Sequence, residues 1–164
     1  MAKPYSVLLA LGSNIERQKN MPLAISILRQ HPRIKLCAVS PIYESIPVGK
    51  MPKQYIFYDA AAWVETDLDP QTLRSTLHKI EEKVGRTERG EDKPRPIDLD
   101  IVLYGQQILQ LEALRIPDPD IARYPHIALP LADIAPNWVH PELGLTLRQI
   151  ADNLNYDKSE IKKI

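Results

Sequence analysis

Two carboxylates stand two residues apart in the stretch Arg95-Pro96-Ile97-Asp98-Leu99-Asp100-Ile101. Ile97, Leu99 and Ile101 alternate with them, which is the period of a strand. On a pleated strand the apolar set faces one way and Asp98 and Asp100 face the other, about 7 Å apart along the chain. Two hard oxygen donors at that spacing suit Mg²⁺, which takes its remaining ligands from water and phosphate. A bare Asp-x-Asp also describes an edge strand with a solvated acidic face. The neighbours bear on the choice. Arg95 stands just upstream, and Arg86, Arg89 and Lys93 lie in the preceding loop. Acids for a metal and bases for phosphates, on adjoining segments, suggest a phosphoryl-transfer site.

The segment from Lys93 to Ile101 resembles the signature of the 6-hydroxymethyl-7,8-dihydropterin pyrophosphokinases. Further blocks similar to that family follow in the same order: Gly12-Ser13-Asn14, the run Ser40 to Gly49, the run Pro130 to Pro136, and His140-Pro141. The resemblance implies ATP and a reduced pterin as partners, with pyrophosphate passing to the pterin's hydroxymethyl group and AMP leaving. It implies that Asp98 and Asp100 hold two Mg²⁺ ions and that Arg86 and Arg95 clamp phosphates as catalytic residues. His78, Glu81, Arg89, Ile101, Arg115, Asp118 and Arg123 would form the nucleotide side. For Glu81, an ordinary salt bridge on a helix surface is the competing reading.

The pterin would stack between Phe57 and His126, with Asp59 reading its edge and Ser45, Pro47 and Val48 adding contacts. His126 is also a fair core residue. The chain departs from the family pattern at several positions. Asp59 stands where Asn is usual, His126 where Phe is usual and Asp118 where His is usual. A family arginine aligns with Ala113, and Asp92-Lys93 replaces an aromatic in the loop. A carboxylate accepts two hydrogen bonds from the amino and ring N–H edge of a pterin, so Asp59 keeps the role. Histidine stacks but titrates near neutrality. Other readings remain open: an enzyme on the same scaffold for a related pterin alcohol, a binder without turnover, or a metal-dependent phosphohydrolase.

The elements that must hold these residues can be read along the chain. Val7 to Leu11 is a buried strand that ends in a turn at Gly12-Ser13-Asn14. A helix starts at Asn20-Met21-Pro22 and stops before Pro32, leaving His31 as a cation at its C-terminus. Residues 34–46 are extended and broken at Pro41. The polar loop 49–54 could cover a substrate. Residues 55–65 form a strand. Asp67 or Asp69 then caps a helix opening at Pro70, with core stripe Leu73, Leu77, Ile80 and Val84 and a stop at Gly85. Residues 85–96 form a charged loop with glycine hinges, read as a catalytic lid. The strand 98–104 turns at Gly105-Gln106-Gln107 into a returning partner at Ile108-Leu109. The proline-rich segment 115–141 reads as shaped but non-helical. Thr146 opens a last helix, and 157–164 reads as a fraying tail.

This order predicts a ferredoxin-like α/β sandwich with an antiparallel or mixed sheet, a proline-rich C-terminal extension, and one domain over 1–164. A net charge of +0 over 164 residues gives no support to a nucleic-acid or membrane partner. With Cys37 alone, no intramolecular disulfide can form, and its apolar run predicts a buried, inert thiol. The expectation is a cytoplasmic monomer.

Overall fold

The computed structural model describes residues 3–90 and 92–164. Strand β1 (Tyr5–Ser13) is followed by helix α1 (Arg17–Gln30), then β2 (Lys35–Val39), β3 (Tyr43–Ser45) and β4 (Phe57–Thr66). Helix α2 (Pro70–Val84) leads to β5 (Asp98–Tyr104), and β6 (Leu109–Leu111) and β7 (Leu114–Ile116) follow. Helices α3 (Pro125–Ile134) and α4 (Leu147–Asn153) precede the last strand described, β8 (Ile161–Lys163). The main sheet runs β5-β1-β4-β3-β8, with β2 also pairing β4, and every pairing in it is antiparallel. The β1-α1-β2-β4-α2-β5 frame is the expected ferredoxin-like sandwich.

Strand alternation sorts the core onto two faces. Val7, Leu9, Leu11, Ala60, Ala62, Val64, Leu99 and Ile101 pack on one side against Met21, Ala24 and Leu28 of α1 and Leu73, Leu77 and Ile80 of α2. Leu8, Ala10, Ala61 and Leu103 pack on the other against Leu131 of α3 and Leu147 and Ile150 of α4. Helix α2 begins where Asp69 accepts the Thr72 N–H at 2.8 Å, with Pro70 in the first turn. It ends at Gly85, whose φ of 120° suits only glycine. Among the described residues, no helix is long and apolar enough to cross a membrane.

Tertiary contacts overrule several local readings. Gly12 and Ser13 continue β1 rather than turning. Helix α1 starts at Arg17 and keeps Pro22 inside, because proline leaves only one carbonyl of the preceding turn unpaired while Met21 and Ala24 stay buried. His31 is no cation: its Nδ1 accepts the Arg33 N–H at 3.1 Å, and burial, then Lys83 and Arg33, lower its pKa. Beyond Tyr104, residues 109–111 do not return along β5. They pair with β7 across the two-residue turn Glu112-Ala113, the nearest partner in sequence. The proline-rich segment is partly helical, since Pro125 sits in the first turn of α3 and Ala128, Leu131 and Ala132 bury its apolar side despite Pro130. The tail pairs with β3 instead of fraying. Cys37 is exposed, at a register shift between Leu36 and Ala38 on β2.

The cap that starts α2 satisfies a backbone N–H of its first turn. Asp69→Ala lowers unfolding free energy by about 1 kcal/mol in urea titration, with unchanged slope.

Candidate functional site

Sheet register builds the site. Gly12 on β1 pairs with Asp98 on β5 and with Asp59 on β4. Asp59 in turn pairs with Tyr43 on β3. Residues paired across strands share a face, so Asp98 and Asp59 stand on the same side, two strands apart, about 10 Å between backbones. One step along β1, Ala10 pairs with Asp100 and Ala61. The acid pair therefore does project from one side of one strand, opposite buried Leu99 and Ile101. Between the two acids the floor is Gly12. A Cβ there would lie 3.6 Å from the Phe57 ring and 4.0 Å from Asp59 Oδ1, filling space that glycine leaves open.

Asp98 is held from both sides. Arg86 donates to its Oδ1 at 2.9 Å and Arg95 to its Oδ2 at 3.2 Å. Arg86 is buried and also donates to the carbonyls of Ile97 and Glu88. Arg95 reaches the carbonyls of Gly90 and Lys93, and its guanidinium lies 5.9 Å from the centre of the Phe57 ring. Behind them is Glu81, only 1% exposed and not on a helix surface. It accepts from Arg89 at 2.5 Å and from the Leu99 N–H at 2.7 Å, and lies 3.4 Å from Arg86. Burial pushes the Glu81 carboxyl above its ordinary pKa, and Arg89 and the Leu99 N–H offset that only in part. Asp100 keeps an exposed edge, yet protein crowds its carboxyl. That desolvation, then the charges of Asp98, Glu81 and Asp118, raises its pKa well above its ordinary value.

This crowding of negative charge is what a divalent cation would relieve. Among the described residues, no group of three or more His, Cys, Asp or Glu side chains is placed to hold a metal. Asp98 and Asp100 thus fit an ion that draws its other ligands from water or phosphate.

Next to Asp100 a cavity of about 260 Å³ is lined by Arg74, His78, Ile101, Arg115, Asp118 and others. Four residues expected on the nucleotide side, His78, Ile101, Arg115 and Asp118, meet here. Arg115 also pairs with Glu142 at 3.2 Å. Asp118 accepts the Asp120 N–H, and its pKa is raised, chiefly by burial. Arg89 points to Glu81 instead, and exposed Arg123 pairs with Asp120 outside the lining. Arg74, which sequence reading passed over, joins the wall because it lies one turn before His78 on α2.

On the other side of Gly12, Ser45 pairs in register with Phe57 and its hydroxyl donates to the Asp59 carboxylate. Asp59 is 3% exposed, and burial raises its pKa to about 7 against the opposing effect of Ser45. Pro47 is buried and Val48 exposed at the start of the loop that follows β3. Met51 in that loop is buried, and Asn14 donates to its Sδ at 2.9 Å. Asn14 also accepts the Arg95 N–H at 2.6 Å while its own N–H donates to the Arg95 carbonyl. It ties the 49–54 loop and the Arg95 segment to β1, a role its place in a presumed turn did not signal. His126 rises from the first turn of α3, on the helix covering this face, and stacks on Tyr124 with centroids 5.4 Å apart. Burial lowers its pKa to about 4, so it is neutral at pH 7. Glu91 of the charged loop lies outside the described residues.

Comparison with known proteins follows this geometry. The family model described as 7,8-dihydro-6-hydroxymethylpterin-pyrophosphokinase matches residues 8–136. The chain is 36% identical over 137 residues to the 2-amino-4-hydroxy-6-hydroxymethyldihydropteridine pyrophosphokinase of Pseudomonas aeruginosa, covering 83% of this chain and 84% of that one. It is 37% identical over 148 residues to the folic acid synthesis protein FOL1 of Dictyostelium discoideum, covering 90% of this chain and 22% of that protein's length. The chain thus spans about a fifth of that relative, and 19% of the fol1 protein of Pneumocystis carinii. The structure of wild-type Plasmodium falciparum HPPK-DHPS with pterin and p-hydroxybenzoate superposes with a TM-score of 0.74 at 17% identity, over 99% of this chain and 45% of that one. At that identity it speaks for the shared fold alone. With a family model that takes in the acid pair, both arginines, Asp59 and His126, the chain belongs to the 7,8-dihydro-6-hydroxymethylpterin-pyrophosphokinase family.

Proposed function

We propose that this chain moves a pyrophosphoryl group from ATP to the hydroxymethyl group of 6-hydroxymethyl-7,8-dihydropterin. The hydroxyl oxygen bonds to the β-phosphorus, the bond from that phosphorus to the oxygen bridging it to the α-phosphorus breaks, AMP leaves, and the hydroxyl proton goes to water. One observation carries the reading. Asp98, Gly12 and Asp59 lie in register on one sheet face, so the acid pair and the pterin reader are about 10 Å apart with a residue that has no side chain between them. That span fits a bicyclic ring bearing a hydroxymethyl arm.

Asp98 and Asp100 would hold two Mg²⁺ ions, which when bound neutralise phosphate charge and make the attacking hydroxyl more acidic. Arg86 fixes Asp98 in place. Arg95 lies between Asp98 and the Phe57 ring, positioned to follow charge onto the β- and γ-phosphates. The 260 Å³ cavity beside Asp100 takes the remainder of the nucleotide. Phe57 and neutral His126 supply apolar faces for the pterin, and Asp59 accepts from its amino and ring N–H edge. Glu81 is a positioning residue, acting through Arg86 and the Leu99 N–H. The protein works as a monomer in the cytoplasm on two small molecules.

The assay is AMP release. It requires both ATP and the pterin alcohol; AMP formed without pterin points to a phosphohydrolase, and binding with no AMP to a non-catalytic protein. Asp100→Asn lowers kcat by about 10² or more in that assay and leaves calorimetric pterin affinity within about twofold. Asp59 generates a pH signature. Its carboxyl holds a proton to about pH 7 when folded, against about 3.9 unfolded. The folded state therefore carries more protons in that window. Unfolding free energy falls as pH rises from about 4 to about 7, by a loss on the order of 4 kcal/mol, and is flat above. Pterin affinity moves oppositely, rising through pH 7 as the carboxylate forms. Asp59→Asn flattens both curves, measured by urea unfolding and calorimetry across pH.

A further inference from the structure

The family match ends at residue 136, and β8 lies beyond it. Strand β3 has three residues, and β8 is what keeps it from being the sheet edge. Tyr43 pairs with Lys163 and Ser45 with Ile161, the Ile46 N–H donates to the Glu160 carbonyl, and the Ile164 N–H to that of Ile42. Ile161 is buried. Pairing on both sides fixes β3 more firmly than β4 alone would.

Side chains tie the same elements a second time. Tyr43 is buried, and its hydroxyl donates to Asp133 Oδ2 at 2.5 Å. Lys163 Nζ lies 3.4 Å from that oxygen and 5.6 Å from the centre of the Tyr43 ring. Asp133 belongs to α3, the helix whose first turn carries His126. One carboxylate thus joins β8, β3 and α3, and two of those three elements carry pterin-side residues: Ser45 and His126. Tyr43 is also the register partner of Asp59. Burial, then Asp133, raise the Tyr43 pKa, so the phenol remains a donor across the working pH range.

We infer that Lys163, through Asp133 and Tyr43, positions the pterin wall of the cleft and so sets affinity for the pterin without touching it. This rests on the pterin reading of the Asp59 side. The nucleotide side lies across β1 on α2, β5 and β7, while the side chains of Tyr43, Asp133 and Lys163 bond to one another. The effect is therefore selective. A strand that merely protected a sheet edge would change stability and leave both affinities alike.

The test uses the full chain. Calorimetry measures the reduced pterin in the presence of a non-hydrolysable ATP analogue, and the analogue alone. Tyr43→Phe weakens pterin binding about tenfold and changes analogue binding less than about twofold. Lys163→Met weakens pterin binding less, Lys163→Arg restores it, and the Tyr43→Phe/Lys163→Met pair is non-additive because the residues share one acceptor. Asp133→Asn, which keeps the side-chain shape, guards against an unfolded variant and follows Tyr43→Phe. A fall in melting temperature with unchanged pterin affinity overturns the inference, as does equal loss for both ligands. If the unaltered chain binds no pterin at all, the reading of the Asp59 side fails first. If it binds pterin but releases no AMP, only the turnover reading fails and these comparisons still decide.

Discussion

The site depends on one compensated cluster of buried charge. Asp98 sits between two guanidinium groups, and Glu81 balances the deeper of them, Arg86. Taking such groups out of water is costly, and the cost is met only when every partner is in place. Glu81 therefore does three things at once. It cancels charge on Arg86 and Arg89, holds the start of β5 through the Leu99 N–H, and ties α2 to the strand carrying both acids. These contacts are all made by the protein's own groups. Catalysis that relies on alignment rather than a covalent nucleophile needs groups placed in this way.

The sheet acts as a ruler around this anchor. Strand spacing fixes the distance from the acid pair to Asp59, and Gly12 keeps the space between them clear. Helices α1 and α2 back one face, and the row Asp98, Gly12 and Asp59 lies on the other, the face that α3 packs against. Asn14 ties the loops on both sides of the cleft to β1, through Met51 and through the Arg95 backbone.

The residues that depart from the family pattern are explained in part by burial. His126 is desolvated and neutral, so it presents an aromatic face much as a phenylalanine would. Asp59 is desolvated enough to stay protonated to about pH 7, which brings it close to an uncharged hydrogen-bonding side chain in mildly acidic solution. Asp118 is different. It lines the cavity beside Asp100, where burial raises its pKa and the Asp120 N–H and Arg123 oppose that.

Sequence alone determined the frame: alternating apolar residues at 97, 99 and 101, the Asp69-Pro70 helix start, the Leu73-Leu77-Ile80 stripe and the Gly85 stop are local signals that need no partner. It also identified the acid pair and its arginines, because their chemistry is written in residue type and spacing. Only the tertiary structure decided which partners these groups take. Glu81 read as either a nucleotide-side residue or a surface salt bridge because helix periodicity says which side a residue lies on but not what loop folds over it. The 157–164 segment read as a loose tail and 115–141 as non-helical because local propensity cannot register an open strand edge or an apolar face waiting to be covered. Contacts between residues distant in the chain carry the pairing of Asp98, Gly12 and Asp59 and the closing of β3 by β8, and no stretch of sequence read by itself contains them.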